Sequence, residues 1–378
     1  MIQRSNTMGG TQTGILEMDG HRGASIRKIS LELHKEPSDP RISSQLIRQY
    51  ALREACLIDC TTRRTGHSAH EVANVLSVNG MTPDSWRSVE EFSRLVPVDP
   101  TVRLDLTTGP TDFSMRVVDL LCPIGKGQRA LIVSPPKSGK TMLMQQLAYS
   151  ISTNHPEIEL IVMLIDERPE EVTDMRRTIR GEVFASSNDS DRETHVRLAA
   201  IVPEYAKRKV EAGKDVVLLI DSLTRIGRAF NATQRSSGRT MSGGVDIRAL
   251  EIPKRIFGAA RSLEGGGSLT IIATVLVDTN SRMDELIFQE FKGTGNMELV
   301  LDRDLADQRI FPAINIPESG TRREELLFGR QTASYQALRR AVHRMKPRQA
   351  IQTILKAIER YSTNRKLLAK ISDLAEEE

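Results

Sequence analysis

The chain has 378 residues, 39% hydrophobic and 27% charged, a composition that supports packed cores and excludes a collagen-like, disulfide-stapled or wholly disordered protein. Net charge is only +4, and neither half is a basic arm, with 13 basic and 13 acidic residues up to Asp105. Any hold on nucleic acid would therefore have to come from local loops. Three cysteines fit a reducing compartment and no apolar run reaches membrane-spanning length, which predicts a soluble cytoplasmic protein with no membrane partner.

In chain order, residues 1–13 show no periodicity and are expected to be a flexible N-terminus. Weak apolar alternation at 14–18, 25–33 and 55–60, with turn signals at Pro37, Pro40, Gly66 and Gly80, predicts a small β-rich module over 14–100. Residues 101–112, just after Pro97 and Pro100, read as a linker. Beyond them, short, dominantly apolar runs (130–133, 160–165, 216–220 and 269–277, with a further one at 297–301) alternate with helix-length polar stretches. Such runs suit strands covered on both faces, so an α/β domain with a parallel sheet is predicted over 113–378. It closes in amphipathic helices, since Ala350, Ile351, Ile354, Leu355 and Ile358 recur at helical spacing.

The run Ser134-Pro-Pro-Lys-Ser-Gly-Lys-Thr141 leads from an apolar strand into a helix-compatible segment, the setting of a phosphate-binding loop. Backbone N–H groups at Lys137, Ser138 and Gly139 would cradle phosphates. Lys140 would supply a point charge, and the Thr141 hydroxyl would ligate a magnesium ion. Ser134 stands where the GxxxxGK[ST] pattern has its first glycine. A second strand ends in Asp221, the apolar-run-then-aspartate pattern of a magnesium partner. A third ends in Asp166-Glu167-Arg168. Glu167 is the expected general base, with Asp166 its rival, because hydrolysis needs a carboxylate to polarise the attacking water.

These segments, with Asp221-Ser-Leu-Thr-Arg225, Gly243-Gly-Val-Asp246, Glu290-Phe-Lys-Gly-Thr-Gly-Asn-Met-Glu298 and Ser319-Gly-Thr-Arg-Arg-Glu-Glu-Leu326, resemble the Rho family of bacterial hexameric RNA-dependent ATPases over most of 113–328. The resemblance implies a RecA-like ATPase domain behind an oligonucleotide-binding (OB-like) barrel. It also implies a homohexameric ring with ATP and magnesium between subunits, and transcription terminated by stripping RNA from RNA polymerase. By the same resemblance Gly125, Lys126, Gly127, Gln128, Arg129 and Ala130 line the nucleotide pocket, Met142 and Phe311 touch the adenine, and Arg168 positions the terminal phosphate. Arg322 is implied to be a finger offered to the neighbouring subunit's ATP. Two loops would meet single-stranded RNA in the pore: residues 237–244, with Arg239, Gly243 and Gly244, and the run Lys292, Gly293, Thr294 and Gly295.

The family's barrel carries a Gly-Phe-Gly-Phe-type run that stacks bases, whereas this chain reads Gly20-His-Arg-Gly-Ala24 at that place, with no aromatic ring. Stacking contributes about 1–3 kcal/mol per base, so weaker RNA loading, or loading on other residues such as His21 and Arg22, is expected. Cys56, Cys60, His67 and His70 fall loosely within zinc-site spacing, with buried thiols the favoured reading. Trp86 and Phe92 read as core. Two alternatives stand beside the termination ATPase: a paralogue with the same motor and altered loading specificity, and a nucleotide-binding regulator that assembles with the main termination factor.

Overall fold

The structure, a computed structural model, describes residues 8–19, 23–65, 70–233, 244 and 246–376. Strands β1 (Met8–Met18), β2 (Ala24–Lys28), β3 (Arg41–Ile42), β4 (Leu57–Arg64) and β5 (His70–Val78) close into a barrel in the order β1-β2-β3-β5-β4. Helices α1 (Ser44–Gln49) and α2 (Pro83–Arg87) flank it. Leu16, Ile26, Ile58, Cys60 and Val72 fill the interior together with Trp86 of α2, whose ring is fully buried beneath the Arg53 guanidinium. β1 crosses from β4 to β2 at Gly14, where a Cβ would lie 2.3 Å from the Arg27 carbonyl oxygen, so only glycine lets the strands approach this closely.

β1 starts at Met8, ahead of Gly14, so residues 8–13 of the segment expected to be a flexible N-terminus are strand. Thr11, Gln12 and Thr13 pair with Thr61, Cys60 and Asp59. A strand that is polar at successive positions has no alternation to read. Cys56 and Cys60 are fully buried, and desolvation pushes both thiols up to about 11. Among the described residues no group of three His, Cys, Asp or Glu side chains is placed to hold a metal ion. His67 lies outside the described residues, as do Gly20, His21 and Arg22.

The second domain is built on strands β6 (Pro97–Val98), β7 (Arg129–Ser134), β8 (Glu159–Glu167), β9 (Glu182–Ser187), β10 (Asp215–Asp221), β11 (Arg261–Leu263), β12 (Ser268–Leu276), β13 (Met297–Val300) and β14 (Gly320–Thr321). The sheet runs β14-β13-β7-β12-β10-β8-β9, parallel from β13 to β9. One face is covered by α3 (Phe113–Leu121), α4 (Lys140–Asn154) and α5 (Pro169–Thr178). The other carries α6 (Arg192–Glu211), α7 (Leu223–Thr233), α8 (Glu251–Gly258) and α9 (Arg282–Lys292). The chain then runs through α10 (Arg303–Asp307), α11 (Glu325–Phe328), α12 (Thr332–His343), α13 (Pro347–Arg360) and α14 (Asn364–Glu376). Ala350, Ile351, Ile354 and Ile358 of α13 complete the first face.

Residues 101–112 are not a free linker. Leu104 and Leu106 are fully buried, Leu104 N–H donates to the Ile124 carbonyl at 2.8 Å, and β6 just ahead pairs with β11. Two isolated leucines give no period, so packing of this kind is invisible to pattern reading. The barrel in turn is tied to α6, where Arg197 donates to the carbonyls of Leu33 at 2.7 Å and Glu32 at 2.6 Å. No helix among the described residues is long and apolar enough to cross a membrane.

Candidate nucleotide site and its far edge

β7 delivers a fully formed phosphate loop to the mouth of α4. Lys137 (φ 63°) and Gly139 (φ 92°) adopt left-handed backbone, and Gly139 caps α4 with no side chain bonded to the helix's first N–H groups. Those groups are free for an anion, which the helix dipole also favours. Ser134 succeeds where the pattern has glycine because its backbone is not left-handed and its hydroxyl braces the loop. Ser134 Oγ lies 2.9 Å from Ser138 Oγ, and Ser138 Oγ donates to the Pro135 carbonyl at 2.8 Å.

Sheet order sets the acids around this loop. Lys140 Nζ reaches Asp221 Oδ1 on β10 at 2.5 Å and Glu167 Oε1 on β8 at 3.3 Å, while Thr274 Oγ1 on β12 donates to Asp221 Oδ1 at 2.7 Å. Burial by itself would lower the Lys140 ammonium, but Asp221 and Glu167 outweigh it and hold the group above its ordinary range. Burial, then the charge of Asp221, raises the Glu167 carboxyl against the pull of Lys140 and Arg225. Glu167 is 3% exposed, and a carboxylate desolvated in this way holds its proton more tightly than an exposed one. Asp166 is turned to Arg225 at 3.0 Å and is more exposed, which leaves Glu167 as the group beside the lysine.

Thr141 and Asp221 offer a hydroxyl and a carboxylate, hard oxygen donors of the type that suits magnesium. Phe311 is 49% exposed, and a Cβ on Gly139 would touch its ring at 3.5 Å, so the aromatic face borders the loop. Met142, 61% exposed, stands in the first turn of the same helix. Arg168 is exposed at the head of α5.

The other expected nucleotide residues do not join this group. Gly125, Lys126, Gly127, Gln128, Arg129 and Ala130 lie at the opposite end of β7, about 17 Å from the loop at ~3.3 Å per strand residue. Most are packed into structure. Lys126 pairs with Asp215 at 2.8 Å, Gly127 (φ 93°) sits where a Cβ would come 2.2 Å from Ser262 N, and Gln128 and Ala130 are buried. Arg129 donates to the carbonyls of Thr294 at 3.0 Å and Ala260 at 3.1 Å.

Arg322 is exposed at that same far edge, beyond β14. Its N–H donates to the Asn296 carbonyl, and the Asn296 side-chain oxygen accepts from Gln128 Nε2 at 2.6 Å and from Arg129 N–H at 2.9 Å. Burial, followed by the nearby cations Arg261 and Arg322, lowers the Arg129 guanidinium. A cavity of about 620 Å³ opens here, lined by Arg322, Lys292, Glu298 and Arg339. Lys292 and Gly293 are exposed at the end of α9, whereas Gly295 is buried against the edge. Of the other pore-loop candidates, Gly244 is exposed with φ 78°, while Arg239 and Gly243 lie outside the described residues.

Reading the chain alone missed Arg225, which bridges Asp166 and Glu167, as well as Glu171, Thr274 and Asn296. Arg225 stood inside a quoted motif, but its partners are distant in sequence and only the sheet brings them together.

The chain matches the ATP synthase alpha/beta family, nucleotide-binding domain, over residues 114–321. It is 51% identical over 341 residues to a transcription termination factor Rho of Streptomyces lividans, covering 89% of this chain and 48% of that one, so it spans about half the length of that relative. Against the transcription termination factor Rho of Streptomyces coelicolor (strain ATCC BAA-471 / A3(2) / M145) it is 50% identical over 362 residues, covering 95% of this chain and 85% of the other. Among solved structures, a prototypical ATPase from a type III secretion system of pathogenic bacteria superposes with a TM-score of 0.60 at 19% identity, covering 82% of this chain and 93% of that one, which is a likeness of fold.

Proposed function

The chain belongs to the transcription termination factor Rho family and carries an ATP-hydrolase domain, and we propose that it terminates transcription as an RNA-dependent ATPase working as a homohexameric ring. The alternatives are not favoured: the relatives' names speak against a repurposed motor, and Glu167 beside Lys140 speaks against a weakly hydrolysing regulator. The observation that carries the ring is a separation. Lys140, Glu167 and Asp221 stand together at one end of the sheet, and Arg322 stands exposed at the other. No single copy can bring Arg322 to its own phosphates, so as a finger it would act on the nucleotide of a neighbouring copy, which supports the ring.

In this reading, the N–H groups at the start of α4 take the phosphates, Lys140 leaves the acids to meet the terminal phosphate, and the Phe311 ring packs on the base with Met142. Magnesium, when bound with the nucleotide, neutralises phosphate charge, and Thr141 and Asp221 would hold it. Glu167 accepts the proton of the attacking water, and Arg168 orients the terminal phosphate. Arg322 of the neighbouring copy stabilises charge that develops only in the transition state, an effect worth on the order of a thousandfold or more.

Arg239, Gly243, Gly244 and the run from Lys292 to Gly295 grip threaded single-stranded RNA by backbone groups and isolated cations, a sequence-tolerant mode. Pulling on that strand separates the transcript from RNA polymerase in the cytoplasm. The test is ATP turnover with polycytidine, polyuridine, single-stranded DNA and no polymer, alongside sedimentation with magnesium nucleotide. Stimulation by RNA in a hexamer is expected; robust turnover without polymer, or a persistent monomer, contradicts the reading.

A further inference from the structure

The Thr141 hydroxyl has one proton and two lone pairs, and the structure shows where the proton goes. Thr141 Oγ1 donates to Glu171 Oε2 at 3.1 Å. The two acids nearest the phosphate loop are already engaged: Asp221 accepts from Lys140 and Thr274, and Glu167 from Lys140 and Arg225. Glu171 sits in the first turn of α5, and the contact is one of two rungs between α5 and α4. The other is Gln145 Nε2 donating to Asp174 Oδ2 at 2.5 Å. Both rungs use residues on one face of each helix, Thr141 and Gln145 at i and i+4, Glu171 and Asp174 at i and i+3. The helix pair is therefore held in register at the point where the hydroxyl must be aimed. Glu171 is also close enough to Glu167 to help raise its carboxyl, so it adds a third negative charge to the site.

We propose that Glu171 is a positioning residue that takes the Thr141 proton, leaves the hydroxyl lone pairs free for the divalent cation of the bound nucleotide, and so makes the site prefer the magnesium nucleotide over the metal-free one. The inference rests on the nucleotide reading above and deepens it. A carboxylate in this place repels unneutralised phosphate and rewards a cation, while the hydrogen bond fixes the donor atom. Residues that orient a metal ligand in this way typically change metal affinity by about tenfold or more when removed.

The test is the affinity of the full-length protein for a fluorescent ADP analogue, measured with magnesium and with EDTA, in wild type, Glu171→Ala and Glu171→Gln. The quantity read is the ratio of the two dissociation constants. Glu171→Ala is expected to shrink the gain from magnesium about tenfold while binding in EDTA is unchanged or tighter. Glu171→Gln retains an acceptor for Thr141 and is expected to lose less. Retained binding in EDTA and an unaltered circular dichroism spectrum show that the variants are folded. An unchanged ratio in Glu171→Ala, or an equal loss in magnesium and EDTA, overturns the assignment of Glu171 and leaves the nucleotide site standing. A wild type that gains nothing from magnesium overturns both.

Discussion

The backbone N–H of Arg322 donates to the carbonyl of Asn296 at 2.8 Å, which ties the Arg322 main chain to the same residue that accepts from Gln128 and Arg129 and leaves the side chain exposed. Arg322 is thus mounted on the rim of the sheet, where the proposed finger role would place it. Arg322→Ala is expected to lower RNA-stimulated hydrolysis by on the order of a thousandfold and to leave nucleotide affinity within about twofold. Mixing Arg322→Ala with Lys140→Ala should restore part of the activity, since one variant still offers the loop and the other the finger. No recovery on mixing, measured by phosphate release, would remove the shared cleft.

Lys140→Ala leaves Asp221 and Glu167 facing each other without their common cation. Both are buried, at 3% exposure, so loss of the lysine should cost stability as well as phosphate affinity, because an unpaired buried charge is expensive. Glu167→Gln removes only the base. It is expected to bind nucleotide normally and hydrolyse it at least about a hundredfold more slowly. Isothermal titration and single-turnover hydrolysis separate the two effects.

The same burial predicts a pH profile. Glu167 holds its proton more tightly than a free glutamate, first by desolvation and then by the charge of Asp221. A base must be ionised, so hydrolysis should fall as pH drops through a value above the ordinary 4.5. Drawing Lys140 away to phosphate removes a lowering contact and moves the midpoint further up. A pH–rate curve at saturating ATP and RNA whose acid limb lies at or below 4.5 contradicts this role.

Gly127 separates a structural role from a nucleotide-binding one. At φ 93°, with Ser262 N only 2.2 Å from where a Cβ would stand, Gly127→Ala should destabilise the fold by more than about 1 kcal/mol. The measurement is the denaturation midpoint without nucleotide. An unchanged midpoint with weakened ADP binding would return Gly127 to the pocket.

Glu54 lies beside β1, accepting from Met18 N–H at 3.2 Å, and desolvation raises its carboxyl to about 7. The folded form holds this proton more tightly than the unfolded chain, so stability falls as pH rises from about 4.5 to 7 and stays lower above. Glu54→Gln should therefore raise the unfolding temperature at pH 8 by a few degrees and have little effect at pH 5. Equal shifts at both pH values would contradict the assignment.

Much of this architecture could be read from the chain because five strands carry dominantly apolar runs, and three of those runs lead directly into Ser134, Asp166-Glu167 and Asp221, the candidate site residues. β9 escaped because Glu182, Ser186 and Ser187 leave only the three residues Val183, Phe184 and Ala185 as a signal. β5 escaped because its register against β4 shifts twice, which breaks the period of two. At the site, residue types in a short run were legible, whereas partnerships across strands were not. Arg225 with Glu167, Thr274 with Asp221 and Asn296 with Arg129 depend on strand order, which no local spacing encodes.

Arg197 reaches from α6 to hold two successive carbonyls of the barrel's flank, at Leu33 and Glu32. Backbone grips of this sort do not depend on what the gripped side chains are, so the barrel's surface can drift in sequence while its seat stays fixed. Exposed side chains of the barrel can therefore be exchanged without loosening its attachment to the sheet domain.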